Sequence, residues 1–255
     1  MRLDITDEIK RVYHSNSQIA RVITENWVRD KIFCPNCGKE IISFENNRPV
    51  ADFYCNSCKE EYELKSKNGS LANKIVDGAY STMIERIESS NNPNFFFLTY
   101  NKVSYELKDF LVVPRYIFTK EIIEKRKPLS DTAKRAGWTG CNILINQIPD
   151  LGKIFYIKNG IEIEKKQVTE KWRKTNFMKE NRDLKSKGWI LDVLMCVEKI
   201  NKKDFTLNEI YKYENILKDK HLQNNNIQAK IRQQLQMLRD KGIIDFTSRG
   251  NYRIL

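Results

Sequence analysis

Three residues in the segment DFYCNSCKEEYELK could carry metal-dependent chemistry. They are Asp52, Glu63 and Lys65, which form the pattern D-x10-E-x-K. Two carboxylates, helped by the Leu64 carbonyl, can hold a hard cation such as Mg²⁺ that keeps several waters. The cation would polarise a phosphate and activate a water, and the lysine would orient that water or neutralise developing charge. The pattern therefore predicts phosphodiester hydrolysis; a charged, solvated strand face is the alternative.

Four cysteines lie beside these residues, as CPNC and CNSC. In a chain without a secretory signal, paired C-x-x-C motifs predict zinc ligands rather than disulfides. Cys34, Cys37, Cys55 and Cys58 would surround one Zn²⁺ tetrahedrally. No position would stay open for a substrate, so this zinc would be structural. The alternative is a set of reactive or redox thiols.

The elements around these motifs predict how the residues come together. Alternation in RPVADFYC predicts a strand on which Val50 and Asp52 share one face. The period of two in EEYELKSK predicts a second strand with Glu61, Glu63 and Lys65 on one face. A hairpin through CNSCKE would bring Asp52 close to Glu63 and Lys65, and zinc at the turn would hold the register of the two strands.

The rest of the N-terminal part predicts an α/β domain over residues 1–182, with a mixed sheet flanked by helices. SNSQIARVITENWVRD and LANKIVDGAYSTMIERIES each predict a helix. The continuous apolar run NFFFLTY is typical of a strand buried on both faces. Further strands are predicted for ELKDFLVV, CNILI and KIFYIKNGIEIE.

The pattern changes in residues 183–255. KGWILDVLMCVEKI, FTLNEIYKYENIL and NNNIQAKIRQQLQMLRDKG each predict a helix, and Thr206 and Glu209 form a capping box in the second. IIDFTSRGNYRIL predicts a short hairpin. Three helices followed by a hairpin indicate a winged helix-turn-helix domain. The basic stretch 165–182 would be the linker before it.

Charge favours a polyanionic partner. The 255 residues include 45 Lys and Arg against 33 Asp and Glu, a formal net charge of +12. Such a surplus is typical of nucleic-acid binding, with solubility alone as the alternative. No apolar run approaches the roughly 20 residues that span a bilayer, and the N-terminal MRLDITDEIKRVYHSNS has no apolar h-region. We therefore expect a cytoplasmic protein without a membrane partner.

Two regions are candidates for direct DNA contact. In KRKPLSDTAKRAGWTGCN, Arg126 and Arg135 would contact phosphates, and Trp138 would be either an aromatic platform at the DNA or a core residue under the loop. Arg249 at the wing tip would contact phosphate or the minor groove. The polar face of the third C-terminal helix would read the major groove, through Gln228, Lys230, Arg232 and Gln233. A winged helix used for protein contact is the alternative.

With these motifs the chain resembles the DpnI-type restriction endonucleases nearly end to end. The resemblance rests on CPNCG, FENNRPVADFYC, ELKSK, DGAYSTM, NNPNFFFLTY, RAGWTGCNI, IRQQLQMLRDKG and RGNYR. It implies a PD-(D/E)xK nuclease domain with a zinc site, followed by a winged helix. Asp52, Glu63 and Lys65 fall on the catalytic motif. Pro49 stands three residues before Asp52 instead of next to it, which departs from the generic pattern.

The resemblance also implies an activity: a type II, methyl-directed enzyme that cuts both strands of GATC containing N6-methyladenine and depends on Mg²⁺. The expected partner is double-stranded adenine-methylated DNA, bound by a monomer in solution. Two other classes stay open. A catalytically inactive methyl-DNA-binding regulator would not need the intact Asp52, Glu63 and Lys65. A zinc-ribbon transcription factor would not need the large region 60–165.

Overall fold

The computed structural model describes residues 1–45, 51–89, 91–180 and 183–255. Pro49 and Val50, which belong to the predicted first strand of the motif hairpin, lie outside these ranges. Among the helices of the described ranges, none is long and apolar enough to cross a membrane.

The chain divides into two compact units: the first comprises Met1–Asn146 and Leu151–Thr175, and the second Gln147–Asp150 and Asn176–Leu255. The helices of the first unit are α1 (Asp7–Val12), α2 (Asn16–Lys31), α3 (Tyr80–Glu88) and α4 (Lys165–Thr175). Its strands are β1 (Ile42–Ser43), β2 (Phe53–Tyr54), β3 (Glu61–Asn68), β4 (Lys74–Ala79), β5 (Asn94–Tyr100), β6 (Leu107–Val113), β7 (Ile123–Lys125), β8 (Gly140–Leu144), β9 (Ile154–Lys158) and β10 (Ile161–Glu162). Short 3-10 turns lie at Arg115–Ile117, Lys120–Ile122, Ile145–Gln147 and Asp150–Gly152.

A seven-stranded mixed sheet with the order β1-β2-β3-β5-β6-β9-β10 forms the centre of the first unit. β3 and β5 run parallel, and the other neighbours are antiparallel. Every residue of β5 is buried, as the apolar run NFFFLTY predicts. Side chains of β5 alternate between the two faces of the sheet, and Phe96 and Leu98 pack in one core with Trp27 of α2 and Trp172 of α4. The predicted mixed sheet flanked by helices is therefore confirmed.

Helix α2 forms where its capping residue and its apolar spacing predict it. Ser15 caps the first turn, because its hydroxyl accepts a 3.2 Å hydrogen bond from the amide of Gln18. Ile23 and Trp27, one turn apart, point into the core together with Val28. One face of α2 is thereby bound to the sheet, and its other face is left for the cleft described below.

The segment 71–89 differs from its prediction as a single helix. Residues Lys74–Ala79 form strand β4, and helix α3 begins only at Tyr80. Ile75 is buried and Val76 exposed, an alternation that suits a strand with one covered face. β4 pairs with β8, and β8 pairs with β7, in a separate antiparallel sheet of order β4-β8-β7. Pairing with a strand some 65 residues further along the chain overrides the local helical pattern.

The basic stretch 165–182 was predicted to be the linker, and for most of its described residues this was wrong. Residues Lys165–Thr175 form α4, which belongs to the first unit, and α5 (Phe177–Glu180) follows. Val168 and Trp172 are each 1% exposed, and the Trp172 indole donates a 3.2 Å hydrogen bond to Asn36 Oδ1. Their spacing of four residues makes one apolar stripe, which packs on the first unit while the basic residues face solvent.

The second unit is a winged helix-turn-helix, as expected. After α5 its elements are α6 (Leu184–Ile200), β11 (Asp204–Thr206), α7 (Leu207–Tyr211), α8 (Glu214–Lys220), α9 (Ile227–Asp240), β12 (Ile244–Ser248) and β13 (Asn251–Ile254). The three strands form a sheet of order β11-β13-β12. The predicted capping box is present at α7, where Thr206 and Glu209 bond each other's backbone amides. The predicted middle helix is two helices, and β11 was not predicted.

Candidate active site

The motif hairpin places Asp52 over the strand that carries Glu63 and Lys65. Asp52 stands directly before β2, and its amide donates a 2.9 Å hydrogen bond to the Tyr62 carbonyl on β3. In return, the Leu64 amide donates a 2.6 Å hydrogen bond to Asp52 Oδ2. The Asp52 carboxylate is therefore held beside Leu64, the residue between Glu63 and Lys65.

The Lys65 ammonium lies between two carboxylates. Its Nζ is 2.6 Å from Oε1 of Glu63 and also contacts Oδ1 of Asp77 on β4. Lys65 and Glu63 have side chains 19% and 22% exposed, and that of Asp77 is only 5% exposed. Sequence reasoning missed Asp77, because it placed this residue in a helix. An alternating pattern through Ile75 and Asp77 was the available signal.

Burial controls the protonation of these groups. Desolvation raises the pKa of Asp52 above its usual range, although the Leu64 amide and Lys65 oppose the rise. Burial also raises the pKa of Glu63, against the opposing effect of Lys65 and with help from the nearby Asp77. Burial lowers the pKa of Lys65, but Glu63 and Asp77 outweigh it, so that the pKa of Lys65 is raised. The site therefore holds an ammonium beside carboxylates that are poorly solvated.

This donor set fits a hard divalent cation. Asp52 and Glu63 supply carboxylate oxygens, and burial raises the pKa of both although Lys65 opposes the rise. A cation held by both would favour their ionised forms. Oxygen ligands that leave room for several waters suit Mg²⁺. Asp52, Glu63 and the Leu64 carbonyl are thus the groups that could hold it.

A cleft of about 460 Å³ opens beside Asp52, and the outer face of α2 lines it. Arg21, Glu25 and Arg29, spaced by four residues, all reach this cleft. Arg21 Nε lies 3.8 Å from Glu25 Oε1, and burial together with the Asp52 charge raises the pKa of Glu25. Sequence reasoning missed this polar stripe, which the repeat at 21, 25 and 29 could have shown.

The four predicted cysteines come together. Their Sγ atoms all lie within 4.8 Å of one another, and two of the Sγ–Sγ distances, Cys34 to Cys58 and Cys37 to Cys55, are 3.4 Å. Tetrahedral zinc with bonds of about 2.3 Å would place its sulfur ligands about 3.8 Å apart. Burial raises the pKa of the Cys34 and Cys55 thiols, whereas hydrogen bonds outweigh desolvation at Cys37 and lower its pKa; a bound cation would favour the thiolates of all three. The cluster could hold a structural zinc ion.

Two equivalent turns present these cysteines. In the first, the Gly38 amide donates to the Cys34 carbonyl at 2.8 Å, and in the second the Lys59 amide donates to the Cys55 carbonyl at 2.8 Å. Gly38 and Lys59 both have positive φ, at 73° and 61°. The second turn joins β2 to β3. A metal ion here would therefore hold together the two strands that position Asp52 and Glu63.

The predicted aromatic loop presents Trp138 between basic residues. The Arg135 guanidinium lies 4.6 Å from the Trp138 ring centroid. On Gly140, a Cβ atom would stand 2.8 Å from the Trp138 ring and 3.4 Å from the guanidinium of Arg126. Trp138 is half-buried, and Arg126 and Arg135 are exposed. The indole thus lies close to Gly140 at the start of β8, with the Arg135 guanidinium over its ring, and it is not part of the main core cluster.

In the second unit, Gln228, Arg232 and Gln233 of α9 are exposed and Lys230 is half-buried, and all four side chains make hydrogen bonds. Gln228 donates a 2.8 Å hydrogen bond to Glu214, and Lys230 donates one of the same length to Gln233. Arg232 donates to the Tyr211 hydroxyl at 2.6 Å. Arg249 is exposed at the turn between β12 and β13. The polar groups of α9 therefore lie around the buried stripe of Ile231 and Leu235 and are available at or near the surface.

A mixed α/β unit with a four-cysteine cluster and an acidic, lysine-containing site, followed by a winged helix-turn-helix, is the make-up of a DNA-acting enzyme. Comparison with known protein families agrees. Residues 1–181 match the DpnI, Dam-replacing family, and residues 185–254 match the Dam-replacing HTH domain. The chain therefore belongs to the DpnI (Dam-replacing) family. This membership indicates in general a methyl-directed restriction enzyme, hence a nuclease, with a DNA-binding C-terminal domain.

Proposed function

We propose that this protein is a Mg²⁺-dependent, type II site-specific deoxyribonuclease that cuts both strands of GATC sites containing N6-methyladenine. Residues 1–182 would form a PD-(D/E)xK nuclease domain and residues 183–255 a DNA-binding domain, in a chain that acts as a monomer in solution. The convergence of Asp52, Glu63 and Lys65 on one surface, secured by the bond between Leu64 and Asp52, carries the proposal.

The residues have separate roles in this proposal. Asp52, Glu63 and the Leu64 carbonyl would hold Mg²⁺, which when bound would activate a water and polarise the scissile phosphate. Lys65, kept protonated by its carboxylate neighbours, orients the water or neutralises charge that develops on the phosphate. Zinc on the four cysteines is structural and fixes the hairpin that carries Asp52 and Glu63.

Recognition of the methyl group is proposed to involve both units, and magnitudes support this. Burial of one methyl contributes about 0.8 kcal/mol, roughly fourfold in affinity, and two methyls of a fully modified site about 1.6 kcal/mol, or roughly fifteenfold. That is little for an enzyme that must spare unmethylated DNA. Two readers would reach about 3.2 kcal/mol, a few hundredfold. Trp138, in the first unit, and α9 from Gln228 to Gln233, in the second, are the proposed readers.

Phosphate contacts would supply most of the affinity. Arg126 and Arg135 flank Trp138 on an exposed loop, and Arg249 lies exposed on the wing. On the reading helix, Lys230 and Arg232 add positive charge to the side opposite the core. These groups would bind the DNA backbone and hold the readers in register with the bases.

One experiment tests the activity. A GATC-containing plasmid, prepared with and without adenine methylation, is incubated with the protein in Mg²⁺, in Ca²⁺ and in EDTA. In Mg²⁺ we expect the methylated plasmid to give fragments whose sizes match the spacing of its GATC sites. We expect no cleavage of the unmethylated plasmid, and none of either plasmid in Ca²⁺ or EDTA. Equal cleavage of both plasmids would refute the methyl dependence. Binding of methylated DNA without cleavage under any divalent metal would instead indicate an inactive regulator.

A further inference from the structure

Asp77 is a buried carboxylate to which none of the roles above is assigned. Its side chain is 5% exposed and contacts the ammonium of Lys65. It comes from β4, which belongs to the three-stranded sheet and not to the seven-stranded sheet that carries Lys65. The two sheets therefore meet at the pair of Asp77 and Lys65. An ion pair this buried is not a solvated surface contact, and its placement calls for an explanation.

The contact of Lys65 with Glu63 bears on the role of Asp77. Lys65 Nζ lies 2.6 Å from Oε1 of Glu63, a carboxylate oxygen of the kind that binds divalent cations. If Glu63 were the lysine's sole partner, ammonium and cation would compete for the same carboxylate. Asp77 offers Lys65 a second anionic partner, from a strand of the other sheet. The lysine can then stay in the site while the oxygens of Glu63 bind the cation.

We propose that Asp77 is a positioning residue that holds the ammonium of Lys65 and thereby leaves Glu63 free for the metal. The inference rests on the proposed function and deepens it. Asp77 is not itself assigned as a ligand; it is the carboxylate that contacts Lys65 from a strand outside the sheet that carries Lys65. Its effect on the metal would be indirect, through the lysine.

The backbone explains how Asp77 is kept in place. In the pairing of β4 with β8, Asp77 is opposite Cys141 and Ala79 is opposite Gly140, with a register shift between the two pairs. The Tyr80 amide then donates a 3.1 Å hydrogen bond to the Thr139 carbonyl. The strand that holds Asp77 is thus paired to the beginning of β8, directly after the loop with Trp138. The position of Lys65 therefore depends on a strand outside the β2–β3 hairpin.

A double-mutant cycle in metal affinity tests the proposal. Mn²⁺ binding to the zinc-loaded full chain is measured by titration for the parent, Asp77→Asn, Lys65→Ala and the double variant. Asp77→Asn should weaken Mn²⁺ binding about threefold or more in the parent background, the size of coupling expected between contacting residues. In the Lys65→Ala background it should have no effect, because no ammonium is left to compete for Glu63.

Controls separate this role from a structural one. Asp109→Asn removes another buried carboxylate of the same unit, one bonded to Thr99 and to the Asn159 amide, and should leave Mn²⁺ affinity unchanged. Asp77→Glu keeps the charge and should retain Mn²⁺ affinity within about twofold. All variants should keep the parental circular dichroism spectrum, and Asp77→Asn should bind methylated duplex in EDTA as the parent does, because phosphate contacts supply most of that affinity.

Two results would overturn the proposal. Unchanged Mn²⁺ affinity in Asp77→Asn would show that the lysine does not need this partner. An equal loss of affinity with and without Lys65 would show that Asp77 acts on the metal directly, as a ligand. A failure of the proposed nuclease function is seen separately, since the parent would then cut no DNA while the binding cycle could still be measured.

Discussion

The amide of Leu64 donates a 2.6 Å hydrogen bond to the carboxylate of Asp52. The two residues are twelve positions apart, and the turn between them carries Cys55 and Cys58. The bond orients the Asp52 side chain toward the strand that carries Glu63 and Lys65. One short hairpin therefore joins the cysteine cluster to the carboxylates of the proposed metal site.

Asp52→Asn should abolish Mg²⁺-dependent cleavage while leaving the affinity for methylated duplex within a few-fold, because affinity comes mainly from phosphate contacts. It should also stabilise the metal-free protein. Burial raises the pKa of Asp52, so the folded state at neutral pH bears the cost of a poorly solvated charge, which a neutral amide removes. Melting temperatures in EDTA should rise by about 2–4 °C. Asp30→Asn, at an exposed carboxylate of α2, is the control. It should change neither the cleavage rate nor the melting temperature.

Removal of one cysteine should release the zinc. The purified parent should contain one zinc per chain, and Cys34→Ser should lose it together with folding yield and cleavage, because metal binding and local folding are coupled. Elemental analysis measures the metal directly. Cys196→Ala, at a buried cysteine outside the cluster, should keep full zinc content. An active parent without zinc would disprove the structural role of this metal.

Gly140→Ala should displace Trp138, since a Cβ atom there would stand 2.8 Å and 3.0 Å from two ring atoms. Fluorescence emission should shift, and cleavage of methylated DNA should fall about tenfold or more, as expected for a displaced contact at a reading site. The control is Gly78→Ala on the paired strand β4, where a Cβ would meet nothing within 4 Å. Equal activity of the two variants would argue against a role for the indole at the DNA.

The proposal of two methyl readers predicts partial losses. Trp138→Ala and Gln233→Ala should each reduce the ratio of cleavage rates on methylated and unmethylated GATC duplexes, by roughly fifteenfold if each reader buries both methyls. Combining them should remove most of the discrimination, because the two readers lie in different units. Arg249→Ala is the matched control: it should weaken binding to both duplexes alike. If one single variant removed all discrimination, a single reader would suffice.

The stability of the second unit should depend on pH through Asp192. Hydrogen bonds from His221 and Lys220 lower the pKa of this carboxyl in spite of its burial. A lowered folded-state pKa adds stability that is present above the unfolded value, about 3.9, and is lost as the pH falls through the folded value. Asp192→Asn should therefore speed hydrogen exchange in α6 at pH 6, and the difference from the parent should shrink below about pH 4.

Much of this fold and site follows from local signals. Cysteine spacing predicted a four-sulfur cluster, and the helical spacing in α2 and the apolar run of β5 predicted elements that the structure confirms. The capping box at Thr206 and Glu209 likewise marked the start of α7. Each of these signals lies within a few residues of the feature it predicts, so no knowledge of distant contacts was required.

The tertiary structure decided the features that depend on distant partners. Strand β4 exists because β8 pairs with it, and this pairing changes residues 74–79 from a predicted helix into the strand that brings Asp77 to Lys65. Likewise, α4 is a packed helix and not a linker, because Trp172 packs into the hydrophobic core of the first unit. Sequence alone predicted the candidate ligand types, and it predicted the pairing of β2 with β3 that the structure shows. The contact of Lys65 with Asp77 depends on the pairing of β4 with β8. The stabilisation from such a long-range pairing cannot be inferred from the pattern of a short segment.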